Sequence, residues 1–518
     1  MKEYNRLQNS FFSLASGMVY RIITLLTAFV VRTVFVNCLS TDYLGVNGLC
    51  TNILSMLSLA ELGFGTAMVY SMYKPLAEKD YNKLQQLMDL YKKVYAIIGT
   101  VILVLGLCLV PFLDLLVKDK PKIDGFSFYY LLFLLDAVVS YWFFAYRSSL
   151  LTADQKMYMV TNYNTAFNII KSVLQIITLL AFHNFAIYVI IQIICTVGQN
   201  ICIALKVSRM YPIFKKNKSN VLPKGERNKI FRDVKALMFT KVGHIALNST
   251  DNIIVSAFVG ITQVGLLSNY LLITNAVTAV LTQVTGALMG SLGNYFAKED
   301  KESGYGIFKK VEFLNFWLYG FSTICIITLL NPFITIWLGE SYKMPFSVVI
   351  WTSINFFVAG FSNTIYTFRS TLGLFTQGQY RPIIVAALNI VLSIVFSQFW
   401  GVSGILAATF VSRACVSLWY DPWLVHKDGF NVSVKPFLKK YMFRIPFIVV
   451  ITVATVWISN LIFLNGVTLW SFVLVTIITA VLPNILFLLC YRKDESFKYF
   501  LDIVRNRLLG KLIKGNNN

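Results

Sequence analysis

Charged side chains are scarce in this sequence, 14% of 518 residues, where a soluble domain carries about 25%. Acidic residues are the scarcer kind, 24 against 46 Lys and Arg, and there are three histidines. Hydrophobic residues reach 57%, with mean hydropathy +0.65. An ordinary soluble fold is excluded, and an all-α polytopic membrane protein is expected. No G-x-x-x-x-G-K-[ST] phosphate loop occurs, which excludes nucleotide hydrolysis by that route. The eight cysteines (Cys38, Cys50, Cys108, Cys195, Cys202, Cys325, Cys415 and Cys490) lie in or beside apolar runs, without C-x-x-C pairing or histidines at zinc spacing. They read as small core residues, so no disulfide framework, metal or cofactor is expected. No cleavable signal peptide is expected either, because the first apolar run is too long and lacks a small-residue cleavage site. A net charge of +22 could suggest nucleic acid, but the basic residues lie between apolar runs, on one side of the membrane.

Fourteen spans are expected, at 11–36, 44–72, 94–117, 127–150, 160–182, 185–206, 236–259, 264–291, 310–333, 346–370, 382–400, 402–424, 441–463 and 467–490. The loops between them alternate in charge. One set is lysine- and arginine-rich, above all 207–235, while the other holds Lys118, Lys120, Lys122 and Lys343 alone. By the positive-inside rule both termini and 207–235 face the cytoplasm. This divides the chain into a six-helix lobe (1–206), a basic linker (207–235), a second six-helix lobe (236–426), two accessory helices (427–493) and a basic amphipathic tail (494–518). The tail helix, Asp494–Lys514, is expected on the inner leaflet, drawn by anionic lipid. The halves echo each other at an offset of 220 residues, which sets Arg21 on Lys241 and Gly45 on Gly265. That pattern suggests two parallel repeats with a site between them.

Ionisable residues inside spans are costly and mark cavities. The first span carries Arg21 and Arg32, eleven positions and so about three turns apart, on one helix face. The fifth carries Asn164, Asn168, Lys171 and Gln175 at i, i+4, i+7 and i+11. The seventh carries Lys241, His244, Asn248 and Asp251, and the fourth Asp136, Ser140 and Arg147. The tenth carries Asn355, Ser362, Tyr366 and Arg369, and Arg413 lies deep in the twelfth. A cavity lined by these leans cationic and suits an anion, since arginine grips phosphate in bidentate fashion. Arg32, Arg147 and Arg369 lie near span ends, where snorkelling to the interface explains them as well. Glu61, Asp136, Asp251 and His244 are candidate proton or ion carriers. Glu61 sits in the patch Glu61-Leu62-Gly63-Phe64-Gly65, where it could instead tie two helices together. Lys241 could be neutralised by Asp251. External loops are too short to hold an active site with paired carboxylates, which argues against an enzyme such as a polymerase or ligase.

Three stretches of the first half carry a resemblance: Thr41-Asp42-Tyr43-Leu44-Gly45-Val46-Asn47-Gly48-Leu49, Ser58-Leu59-Ala60-Glu61-Leu62-Gly63-Phe64-Gly65, and Tyr73-Lys74-Pro75-Leu76-Ala77. Gln263-Val264-Gly265-Leu266-Leu267-Ser268-Asn269-Tyr270 carries it in the second half. The chain resembles the bacterial polysaccharide biosynthesis flippases (Wzx type), of the superfamily that also holds the lipid II flippase and the multidrug MATE exporters. The resemblance implies two six-helix lobes in a V around a central cavity, plus two accessory helices. It implies a substrate, an oligosaccharide on undecaprenyl diphosphate, carried across the cytoplasmic membrane by alternating access. It also implies that first-span arginines, here Arg21 and Arg32, line the cavity. The implied partners are this lipid-linked substrate, membrane lipids and other polysaccharide assembly proteins, with no nucleic acid. The competing expectation is a MATE-type ion-coupled exporter of cations, whose cavity should lean acidic.

Overall fold

In lipid a backbone must satisfy its polar groups within itself, and a helix does so. The structure is a computed structural model and describes residues 6–504 except 62–63, 119–122, 124, 212–221, 229, 233, 235–249, 297–300, 373, 375–376 and 379. Among the described residues every regular element is helical. In chain order these are α1 (Arg6–Cys38), α2 (Thr41–Leu57), α3 (Phe64–Ala77), α4 (Tyr81–Leu109), α5 (Phe126–Trp142), α6 (Ser148–Ala153), α7 (Met157–Phe182) and α8 (Phe185–Met210). Next come α9 (Thr250–Val259), α10 (Ile261–Phe296), α11 (Lys301–Leu338), α12 (Phe346–Thr371) and α13 (Arg381–Leu424). The last are α14 (Lys435–Ile462), α15 (Leu469–Tyr491) and α16 (Glu495–Val504). Polar residues start several of them. Asp80 Oδ1 accepts from Lys83 N at 2.9 Å before α4, and Thr468 and Ser471 form a reciprocal cap before α15.

Ten of the described helices are long and apolar enough to cross a membrane, and a bent pair makes an eleventh. This is a multi-pass membrane protein. The bent pair is α5 with Ala145–Ala153, angled by 43° at Phe144, whose φ is 59°. The second expected span, 44–72, is not one continuous helix. It ends as α2 at Leu57, passes through a 3-10 turn at Ser58–Glu61 and resumes as α3. The long run α13 reverses direction at Gly401, whose φ of 54° and ψ of −131° leave the helical region. Asn389 Nδ2 donates to Thr409 Oγ1 at 3.0 Å. A straight helix would hold residues twenty positions apart at about 30 Å, so α13 is two antiparallel helices, matching the expected 382–400 and 402–424.

The chain forms two compact units, Met1–Ser268 and Asn269–Asn518. In the first, α1 lies along α7, α7 on α8, and α5 on α4 and α8. Leu49, Met68, Leu84, Tyr130, Leu150 and Val189 are buried at its centre. Part of the basic 207–235 stretch docks here, with Leu222 and Ile230 in the core and Glu226 paired with Lys83.

In the second unit α11 is the hub, packed by α12, α14, α15 and α16. Arg444 of α14 donates from Nη1 to Glu312 Oε1 of α11 at 2.6 Å, and Tyr441 donates to the same oxygen at 2.6 Å. The guanidinium lies 4.5 Å from the Phe316 ring centroid. The amphipathic tail helix is described as far as Val504. It turns Phe497, 3% exposed, onto Phe313 and Trp317 of α11, so protein rather than lipid covers that residue.

Candidate functional site

The two first-span arginines have different surroundings. Arg21 is exposed on α1, whereas Arg32 is half-buried and donates from Nη1 to Ser268 Oγ at 2.9 Å. The polar stripe of α7 is divided between two neighbours. Thr27 Oγ1 of α1 lies 2.9 Å from Asn168 Oδ1, and Gln175 is buried, donating Nε2 to Tyr188 O of α8 at 3.2 Å. Asn164 and Lys171 are half-buried on the same helix. Asn168 and Gln175 therefore join helices within the unit. Arg413 is half-buried in the second limb of α13. Lys241, His244 and Asn248 lie outside the described residues.

Glu61 is a node between helices. Its Oε2 accepts from Tyr141 OH of α5 at 2.8 Å, and its Oε1 accepts from Tyr95 OH of α4. Tyr91 OH donates to Tyr95 OH at 3.2 Å. A carboxylate in an apolar setting needs such donors, and the break between α2 and α3 places it among them. Asp136 accepts from Gln192 Nε2 of α8 at 2.7 Å. Asp251 is half-buried on α9. The tyrosines and Gln192 were missed from sequence, although Tyr91 and Tyr95 share a helix face at i, i+4.

The other two arginines assigned to span ends are also engaged by protein. Arg147 donates from Nη1 to Ser208 Oγ at 2.6 Å and stacks over Phe144 at 4.7 Å. Arg369 is buried, 7% exposed, beside Asp421. Protein contacts hold both side chains.

Where α2 and α10 begin, their backbones cross at close range within the first unit. Thr262 Oγ1 donates to Asp42 Oδ1 at 2.7 Å. A Cβ on Gly45 would overlap Ile261 O, and one on Gly265 would lie 2.6 Å from Thr41 O. Thr41 and Ile261, Asp42 and Thr262, and Gly45 and Gly265 are each 220 positions apart. Each side thus offers the other the same atoms, as in a two-fold contact. The repeat offset seen in the sequence is a physical pairing here.

The described residues make an all-helical, multi-pass chain with this crossing in its first unit. Its fold is similar to that of the lipid II flippase MurJ in an inward closed conformation, with TM-score 0.65, 15% identity, 93% of this chain and 99% of that one covered. It is also similar to an inward-facing MATE family multidrug resistance transporter, with TM-score 0.52, 14% identity, and 78% and 97% covered. The polysaccharide biosynthesis protein family matches residues 7–292, more than half of the chain, and the protein belongs to that family. No curated protein matches it in sequence.

Proposed function

We propose that the protein is a flippase that carries a lipid-linked oligosaccharide, on undecaprenyl diphosphate, across the bacterial cytoplasmic membrane. The observation that carries this reading is membership of the polysaccharide biosynthesis family. The fold shared with a lipid II flippase supports it. The chain then crosses the membrane fourteen times, with both termini in the cytoplasm and two six-helix lobes forming a V, followed by two accessory helices. Arg21, with Arg32, Lys171, Lys241 and Arg413, binds the diphosphate, and Asn164 contributes to sugar contacts, while Asn168 and Gln175 hold the helices that shape the cavity. Glu61, Asp136, Asp251 and His244 are the carriers for any coupled proton or ion. Transport makes and breaks no covalent bond. Access alternates between the leaflets, and the crossing of α2 and α10 must part when the outer side opens.

The test is the leaflet accessibility of a lipid-linked oligosaccharide in vesicles containing the purified protein. Faster appearance on the opposite leaflet, lost in Arg21→Ala at equal protein level, is the expected result. A second reading, an exporter of MATE type, has the MATE-like fold in its favour. Unchanged lipid accessibility together with efflux of a cationic dye would establish that reading instead.

A further inference from the structure

Two arginines stand at the end of α12 and the start of α13. Arg369, in the last turn of α12, donates from Nε to Leu374 O at 2.9 Å and from Nη2 to Gln377 O. Its Nη1 lies 3.6 Å from Asp421 Oδ1. Arg381, the first residue of α13, touches that same carboxylate oxygen with Nη1. Its side chain is 14% exposed, and its buried Nε has no hydrogen-bond acceptor among the described residues. No other carboxylate there pairs with either arginine. Two guanidinium groups therefore share one negative charge in a place largely closed to water. Such an excess is costly unless an anion completes it. Tyr366 and Tyr380 are exposed beside the two arginines.

We propose that Arg369, Arg381 and the opening turn of α13 form a binding site for a phosphate or diphosphate group. The planar guanidinium of Arg381 offers paired donors to such a group, and the α13 N-terminus adds favourable partial charge. Asp421 sets the strength of the site. It cancels one of the two charges, leaving enough attraction to hold a phosphate and little enough to release it. The loop charges assign this helix end to the cytoplasmic side, so both a lipid headgroup and a soluble phosphate can reach it. As a first docking place for the diphosphate of the transported lipid, the site rests on the flippase reading, whereas the binding itself does not.

The experiment is thermal melting of the purified full-length chain, in detergent with inorganic pyrophosphate and in phosphatidylcholine nanodiscs with or without phosphatidic acid. Saturable stabilisation is expected. Asp421→Asn should lower, and Arg381→Lys raise, the half-saturating concentration about tenfold, the change that ~1.4 kcal/mol produces. A response to phosphatidic acid alone names a lipid headgroup as the source, and a response to pyrophosphate a free anion. The proposal is overturned when wild type responds to neither, or when wild type, Asp421→Asn and Arg381→Lys respond alike. Should Asp421→Asn fail to purify, Arg381→Lys, which keeps the charge and loses the fork, decides alone. Leaflet exchange is read separately, so loss of this site leaves the transport result standing.

Discussion

At the scale of single residues, several buried polar groups are held by partners on other helices. Glu61 illustrates this. Its carboxylate takes hydroxyls from Tyr95 and Tyr141, so Tyr141→Phe should cost about 1–3 kcal/mol by leaving it short of a donor. An unchanged melting temperature in detergent would contradict that role. Glycine gives a sharper contrast. Gly45→Ala or Gly265→Ala forces a Cβ against backbone carbonyl oxygens and should each cost about 1–3 kcal/mol. Gly17, in α1, has nothing within 4 Å of an added Cβ, so Gly17→Ala should be neutral or stabilise by up to about 1 kcal/mol through helix propensity. The same melting series tests all three. The sequence alone exposes which residues are expensive in lipid, because cost follows from residue type and depth. It does not expose their partners. Asn168 and Gln175 sit on the predicted stripe, yet each is answered by a different neighbouring helix. Arg369, near a span end by position, is buried because Asp421, 52 residues later in the chain, comes back beside it.

At the scale of elements, lengths and polarity of the spans were legible from hydropathy, and the interruptions were not. The break at Ser58–Glu61 and the bend at Phe144 are changes of backbone conformation, which hydropathy does not report. Fixing of α14 to α11 was also out of reach, since Arg444 and Glu312 are 132 positions apart. Both are buried, so Arg444→Met alone should destabilise the protein by about 3–5 kcal/mol, by stranding the carboxylate. Adding Glu312→Leu should restore much of the loss, because an apolar pair needs no desolvation. A double variant as unstable as the single one would show that Arg444 acts through packing on Phe316 rather than through charge.

At the scale of the whole molecule, the proposed topology places the 207–235 stretch and a reporter fused at Asn518 on one side. Reporter enzymes that are active only outside the cytoplasm should therefore be silent at both places and active when inserted at 464–466. The proposed alternating access makes a further demand. In Asp42→Cys with Thr262→Cys, an oxidised cross-link should halt leaflet exchange of the lipid-linked oligosaccharide, and reduction should restore it. Exchange that continues at full rate in the oxidised protein would show that this crossing need not part.

The doubled crossing also bears on how the protein is made. The first compact unit runs to Ser268 and so includes the opening turns of α10. Its partner surface, around Thr41 to Gly45, is synthesised 220 residues earlier. At about 5–20 residues per second, that surface waits roughly ten to forty-five seconds in the membrane before Ile261 and Thr262 leave the ribosome. During that interval the first hairpin is a template without its match, and a nascent chain halted before Ile261 carries an unfinished first unit. The first half of the chain thus completes its fold only when the second half has begun.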